Sequence, residues 1–240
     1  RDGRVTGVQT CALPICLSEQ DLKSSSRMKR VAKREPKRKN VALSVPPKSH
    51  VSRDLILRVA AQLFRQQGYS ATTLRQIADK AGMKAGSIYY HFDSKTAILD
   101  EILELGLQRI FDAVKASVNE LGKGSHRNKI SAAIKAHLVT LLQESDYTSA
   151  NMRVYGQLPE RIKKRHRPLR RAYGKYWDDM LADAQRAGEI RPEILIVPLR
   201  RFILGALNWT VEWFDARKSS SVQELASRTT LLIFNGILPR

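Results

Sequence analysis

The sequence predicts an all-α protein with a small N-terminal and a larger C-terminal helical part. Three observations support this fold class. Apolar residues recur at three- and four-residue spacing from residue 52 almost to the C-terminus, no segment shows a clear strand alternation, and glycines and prolines fall between the periodic segments. Of the 240 residues, 42% are hydrophobic, which is enough to fill a core.

The chain opens with a segment that we expect to lie outside the fold. Residues 1–15 include VTGVQTCALPI, which resembles a translated sequencing-adapter oligonucleotide, so we interpret them as an artefact and regard Met28 as a candidate start. Residues 16–50 are rich in lysine and arginine with prolines and clustered serines, which predicts a disordered basic arm. Such an arm is a solvated tail or a nucleic-acid contact, and the two are compatible.

Composition argues against several kinds of site. Both cysteines, Cys11 and Cys16, lie in or beside the suspected artefact, so the rest of the chain offers no disulfide or thiolate site, which fits a reducing cytoplasm. The five histidines include no pair at helical ligand spacing, and no apolar run approaches the length of a membrane span. We expect no metal, no cofactor and no membrane segment in a chain whose net charge is +19.

Two short helices are predicted between two longer ones. The first long helix is expected to start at a cap, Ser52, and to end at Gly68. The next long helix is expected to start at Ser94 or Asp93.

The two short helices form a recognisable motif. Thr73 and Gln76 have the spacing of a capping box at the start of the first, Gly82 ends it, and the second begins near Lys84. Two short helices joined by a tight glycine turn predict a helix-turn-helix.

The rest of the chain reads as further helices. Ser221 and Glu224 make another predicted capping box. The expected spans are residues 96–121, 126–144, 147–157, 160–187, 193–216 and 222–235.

Residues 53–103 carry a likeness that covers about fifty residues without a gap, RDLILRVAAQLFRQQGYSATTLRQIADKAGMKAGSIYYHFDSKTAILDEIL. They resemble the DNA-binding domain of the TetR family of transcriptional repressors. The match includes the glycine turn, the ring cluster, the cap and the lysine, represented by Tyr89, Tyr90, His91, Phe92, Ser94 and Lys95. The resemblance implies a helix-turn-helix domain at residues 51–97 and a helical effector-binding and dimerisation domain at residues 98–240.

Within this motif the sequence offers candidate DNA contacts. The start of the third helix should face base edges, and the two tyrosines should position the domain on phosphates. The predicted DNA-binding residues are Thr73, Arg75, Lys84, Ala85, Gly86, Ser87, Tyr89, Tyr90, His91 and Lys95, of which Thr73, Arg75 and Lys95 rest on the resemblance. Ile88 and Phe92 are expected to face inward.

Other interpretations remain open for single residues of the motif. His91 is also compatible with capping or packing, and a ring cluster is also typical of a core. Ser87, His91 and Asp93 include the residue types of a catalytic triad, but one short helix end cannot make them converge, so we expect no enzyme.

The resemblance implies a homodimer formed through the last two long helices, packed as a four-helix bundle. Their apolar stripes are Leu195, Leu199, Phe202, Ile203, Ala206, Thr210 and Trp213, then Val222, Leu225, Leu232 and Ile233. A dimer also makes mechanical sense, because two short recognition helices can read a palindrome.

Aromatic residues of the C-terminal half suggest an effector site for a lipophilic ligand. The stretch GALNWTVEWF, residues 205–214, resembles TetR-family members that sense fatty-acid or acyl-thioester compounds, which implies a ligand of the fatty-acid or acyl-CoA type. The candidates are Arg170, Tyr173, Trp177, Asn208, Trp209 and Trp213. Ordinary core or interface aromatics are the alternative. The basic run at residues 160–171 could meet the phosphates of an acyl-CoA or form a solvated face.

The predicted function is therefore a cytoplasmic, nucleoid-located repressor that binds a palindromic operator as a dimer and is released by a small molecule. The alternative is a nucleoid-associated protein that binds DNA without regard to sequence, through the same basic arm and rings.

Overall fold

A computed structural model describes residues 48–144, 146–215 and 221–236. Over these ranges the chain forms nine α-helices and no strand. The helices are α1 (Lys48–Gln67), α2 (Leu74–Lys80), α3 (Ala85–Tyr89), α4 (Lys95–Glu120), α5 (His126–Val139), α6 (Asp146–Tyr155), α7 (Glu160–Arg186), α8 (Ile196–Trp213) and α9 (Val222–Asn235). The suspected artefact, Met28, both cysteines and the basic arm up to residue 47 lie outside the described residues.

The predicted all-α class is confirmed; most helix ends lie within three residues of the expected spans, and two differ from them by about five residues. α1 starts at Lys48, so Ser52 lies inside the helix instead of capping it. Residues 48–51 contain neither glycine nor proline, so the helix extends by one turn beyond Ser52. The segment expected as one helix over residues 126–144 changes to a π-helical turn at Thr140–Glu144.

Buried side chains form two hydrophobic clusters. The N-terminal core is formed by all of the first four helices and includes Ile56, Phe64, Ile77, Ile88, Ile98 and Ile102. Three further members, Tyr147, Val154 and Ile162, come from α6 and α7. The first four helices therefore share one core with α6 and the start of α7, while α5, α8, α9 and the second halves of α4 and α7 enclose the C-terminal core.

α4 and α6 touch through their backbones. A Cβ at Gly106 of α4 would lie 2.4 Å from the carbonyl oxygen of Tyr147, so only glycine fits at this crossing. Thr148 Oγ1 donates a hydrogen bond to the carbonyl oxygen of Gly106 at 3.1 Å. Asn151, one turn further on, donates to the carbonyl oxygen of Leu103.

Candidate DNA-binding surface and effector site

The helix-turn-helix is built as its sequence predicts. Thr73 Oγ1 accepts from the Gln76 amide at 3.2 Å and Gln76 Oε1 accepts from the Thr73 amide at 2.8 Å, which confirms the capping box. Gly82 has a φ of +67°, a conformation that favours glycine and lets the chain turn into α3. Ile88 and Phe92 are buried, as expected, and fix α3 on its scaffold.

The outer face of α3 is open to solvent. Lys84, its N-cap, and the following Ala85, Gly86 and Ser87 are exposed. Tyr89 is 60% and Tyr90 81% exposed. The half-buried His91 ring meets Tyr90 edge to face, with 5.0 Å between centroids. Two tyrosines held out from the core suit contact with a partner molecule.

Two of the predicted cationic contacts lie together beside the turn. Arg75 and Lys84 are exposed and border one shallow surface depression with Asp79, Gly82 and Ala85. The Asp79 carboxylate therefore lies near both cations, but among the described residues no carboxylate forms an ion pair with either side chain.

The structure gives Lys95 a scaffold contact. Its Nζ donates to the carbonyl oxygens of Tyr69 at 2.8 Å and Thr72 at 2.6 Å, and lies 4.3 Å from the centre of the Tyr69 ring. Burial lowers the pKa of Lys95. This side chain therefore ties the start of α4 to the loop after α1.

In the C-terminal part, a buried histidine links two predicted effector residues. His137 Nδ1 is 2.8 Å from Tyr173 Oη and Nε2 is 3.0 Å from Asn208 Oδ1. Because the amide oxygen can only accept, Nε2 carries the proton and Nδ1 accepts from the phenol. Burial lowers the pKa of His137 to about 4, against a weaker opposing effect of the Asn208 bond. The ring is neutral at neutral pH.

His137 contacts two candidate site residues, and sequence reasoning missed it. It stands at an apolar-stripe position of α5, four residues after Ala133 and one before Leu138. This position could have revealed His137 from the sequence, because a histidine on a buried stripe needs polar partners.

Tyr173, Trp177 and Arg170 lie on one face of α7. Burial raises the pKa of Tyr173. The Trp177 ring is fully buried and edge-on to Tyr173, with 6.4 Å between centroids. The Arg170 guanidinium lies 3.3 Å from the centre of the Tyr155 ring and bonds Asn151 Oδ1.

The structure does not bring the other two candidates to this cluster. Trp209 is 66% and Trp213 55% exposed, on the outer face of α8 together with Phe202. Neighbours on a helix point about 100° apart, so Asn208 reaches His137 while Trp209 faces outward.

The predicted dimer stripes also divide into two faces. Ile203, Thr210 and Val222 are buried inside the same chain. The apolar surface left for a partner is formed by the exposed residues Leu195, Phe202, Ala206, Trp209, Trp213, Leu231 and Leu232, which we call the outer stripe.

Comparison with known proteins identifies the family. A model described as "Bacterial regulatory proteins, tetR family" matches residues 56–102, and one described as "Tetracyclin repressor-like, C-terminal domain" matches residues 123–237. The chain belongs to the TetR family. As a TetR-family regulator it binds operator DNA, acts as a homodimer and responds to a small-molecule effector.

Three relatives match this chain over nearly their whole length. The repressor KstR2 of Mycolicibacterium smegmatis is 26% identical over 82% of this chain and 96% of its own. The fatty acid metabolism regulator protein of Bacillus subtilis is 21% identical over 76% and 93%. The crystal structure of AibR in complex with isovaleryl coenzyme A and operator DNA has a TM-score of 0.70 at 19% identity, over 76% and 98%.

One further feature of this TetR-family chain concerns membranes. Among the residues that the structure describes, no helix is both long and apolar enough to cross a bilayer.

Proposed function

We propose that the protein is a dimeric repressor that occupies a palindromic operator through its paired α3 helices. A small lipophilic effector that binds the C-terminal half releases it. The observation that carries this proposal is the exposed face of α3, where Tyr89 and Tyr90 stand out from a helix anchored by buried Ile88. Rings and cations that project from a fixed short helix have the shape and charge of a major-groove reader.

Each residue of this face has a proposed role. Residues 84–87 read base edges, with Lys84 the candidate for guanine. The phenols of Tyr89 and Tyr90 position the domain on phosphates, assisted by His91, Thr73, Arg75 and Lys95. Since Lys95 also holds two carbonyl groups, its contribution at the phosphate would come through a side chain that is already fixed.

We place the effector site at the cluster around α7. It would consist of Arg170, Tyr173, Trp177 and Asn208, and we include His137 because it bonds Tyr173 and Asn208. Aromatic walls with few polar groups suit a lipophilic molecule. The names of the fatty acid metabolism regulator and of the isovaleryl coenzyme A complex support an acyl-type ligand. Trp209 and Trp213 are assigned instead to the outer stripe, where the twofold mate packs.

The proposed boundary between the two functional parts lies near residue 97. Residues 51–97 would bind DNA and residues 98–240 would bind the effector and the partner. The two matched family models end and begin on either side of residues 103–122, within or just after α4. Release follows if the effector favours a dimer whose two α3 helices no longer match successive major grooves.

The remaining parts of the proposal concern cell biology. We place the protein in the cytoplasm with the nucleoid, where an operator is accessible. We assign it no catalytic activity, because both ring nitrogens of His137, the histidine of the α7 cluster, are bonded to Tyr173 and Asn208 and none is left to activate a nucleophile.

Selection of DNA fragments tests the proposal. The full chain is incubated with sheared DNA from its own genome at physiological salt, and the retained fragments are sequenced. Enrichment of one palindrome beside a few promoters is the expected result. Even retention across the genome would contradict the repressor and favour a nucleoid-associated protein instead.

A further inference from the structure

Two buried nitrogen atoms of α7 lack a hydrogen-bond partner. Among the described residues, Arg170 Nε and Trp177 Nε1 are the buried side-chain nitrogen or oxygen atoms without one. A buried donor without an acceptor is destabilising, so native proteins rarely keep one without a use. Both belong to the proposed effector site.

The charge of Arg170 is also uncompensated. Its neighbours are neutral groups, the Tyr155 ring and the Asn151 amide oxygen, and no Asp or Glu in the described part of the chain forms an ion pair with it. Burial lowers its pKa to about 10, which leaves the guanidinium charged at neutral pH. A mostly buried cation without a counter-charge is destabilising until an anion arrives.

The two donors point to one elongated ligand. Arg170 and Trp177 are seven residues apart, so they lie on the same face of α7 roughly 10 Å apart along its axis. The aromatic ring of Tyr173 lies between them. An acidic group at one end and an acceptor oxygen at the other would satisfy both nitrogens, with an apolar body along the ring.

We propose that the effector is an anion whose carboxylate or phosphate oxygens are received by the guanidinium of Arg170, while Trp177 Nε1 donates to a second oxygen of the same molecule. The inference rests on the effector site proposed above and specifies its ligand class. Uncharged lipophilic molecules of the same length do not release the protein from its operator.

Hydrogen bonds of α6 connect the site on α7 to α4 and α1. Arg170 bonds Asn151 Oδ1, and the amide nitrogen of Asn151 bonds the carbonyl oxygen of Leu103 in α4. Two residues along α6, Arg153 Nη1 donates to the carbonyl oxygen of Arg65 in α1 at 2.7 Å. An anion that takes over the guanidinium withdraws it from Asn151 and thereby loosens α6 from α7.

The test measures binding of defined anions to the full chain. The probes are octanoate, decanoate and palmitate, their coenzyme A thioesters, and the matching primary alcohols as uncharged controls. Binding is followed by tryptophan fluorescence, and release is followed on an operator fragment retained from the genome. The variants are Arg170→Gln, Arg170→Lys, Trp177→Phe and, as the matched control, Arg171→Gln, whose side chain is exposed.

We expect at least one anion to bind and to release the operator, while its alcohol does neither. A carboxylate response identifies the free acid and a thioester response identifies the coenzyme A phosphates. Arg170→Gln should weaken that binding more than ~30-fold, as expected for a buried charge pair. Arg170→Lys should recover part of it, Trp177→Phe should weaken it less, and Arg171→Gln should behave as wild type.

Three results overturn the proposal. They are equal binding of acid and alcohol, unchanged binding in a folded Arg170→Gln variant, and no binding of any anionic probe. Sequence-specific operator binding by the effector-free protein would survive all three. A loss of sequence-specific operator binding, and not any of these three results, would contradict the repressor function.

Discussion

Arg153 of α6 and Glu212 of α8 form a two-point ion pair, with Nε 2.8 Å from Oε1 and Nη2 3.1 Å from Oε2. The remaining guanidinium nitrogen bonds the carbonyl oxygen of Arg65 near the end of α1. One side chain therefore joins a helix of the DNA-binding part to two helices of the effector part.

Replacing Arg153 with methionine should lower the free energy of unfolding by about 1 kcal/mol, because the pair is partly exposed and the carbonyl of Arg65 loses its donor. Urea unfolding measures this. Arg167→Met is the control, since Arg167 pairs with Glu160 of its own helix and both are exposed. Equal losses in the two variants would show that the three-helix contact adds nothing.

The two kinds of DNA contact should separate by substitution. Tyr89→Ala should weaken binding to all sequences alike, because a phosphate contact carries no sequence information. Lys84→Ala should reduce discrimination by about 1–3 kcal/mol at one position of the operator. Competition of the operator with scrambled duplexes distinguishes them. Equal effects of both variants on operator and scrambled DNA would refute the assigned roles.

Lys95 should act on stability as well as on binding. Lys95→Met should cost about 1 kcal/mol of unfolding free energy, because two carbonyl groups lose a charged donor at a partly exposed site. Lys80→Met, on the exposed side of α2, is the control. The phosphate role is tested by the slope of log operator affinity against log salt concentration. If Lys95 contacts a phosphate, this slope is smaller in magnitude by about one in Lys95→Met than in wild type. An unchanged slope would leave Lys95 with its contacts to Tyr69 and Thr72 alone.

His137 makes stability depend on pH. Its pKa falls from 6.5 to about 4 because burial disfavours the charged ring, so between these values the unfolded chain binds more protons than the native one. The free energy of unfolding has its full value above pH 6.5 and decreases as the pH falls. At about pH 4 the loss is on the order of 3 kcal/mol. Urea unfolding across this range should show the loss, and His137→Gln should remove it. A variant with the wild-type slope would assign the acid sensitivity to other groups.

The outer stripe should control the oligomeric state. Phe202→Glu should convert the dimer to monomer, because Phe202 is 68% exposed within one chain and a charge there would be buried against the mate. Light scattering on a sizing column measures the mass. Leu121→Glu places the same charge on another exposed leucine and should leave the dimer intact. Dimers of both variants would move the interface elsewhere.

Local sequence signals predicted the DNA-binding part in detail. The Thr73 cap, the turn at Gly82 and the inward Ile88 depend on residues within a few positions of one another, and all three are confirmed. The Lys95 contacts could not be foreseen, because its acceptors lie 26 and 23 residues away and are backbone atoms.

The proposed effector cluster was predictable only in part. The spacing of Arg170, Tyr173 and Trp177 put them on one face of a helix, and the structure agrees. Which face of α8 turns inward depends on how that helix packs on α5 and α7. Sequence periodicity therefore could not separate Asn208, which meets His137, from the exposed Trp209.

The close crossing at Gly106 sets a limit on how this protein can be re-engineered. With no side chain between the two backbones, every residue larger than glycine at this position would push Tyr147 away and spread α4 from α6. A designer who wants a biosensor for a new compound would therefore keep position 106 fixed and vary the aromatic face of α7. The crossing tolerates no side chain at position 106, whereas the side chains on the face of α7 can be exchanged.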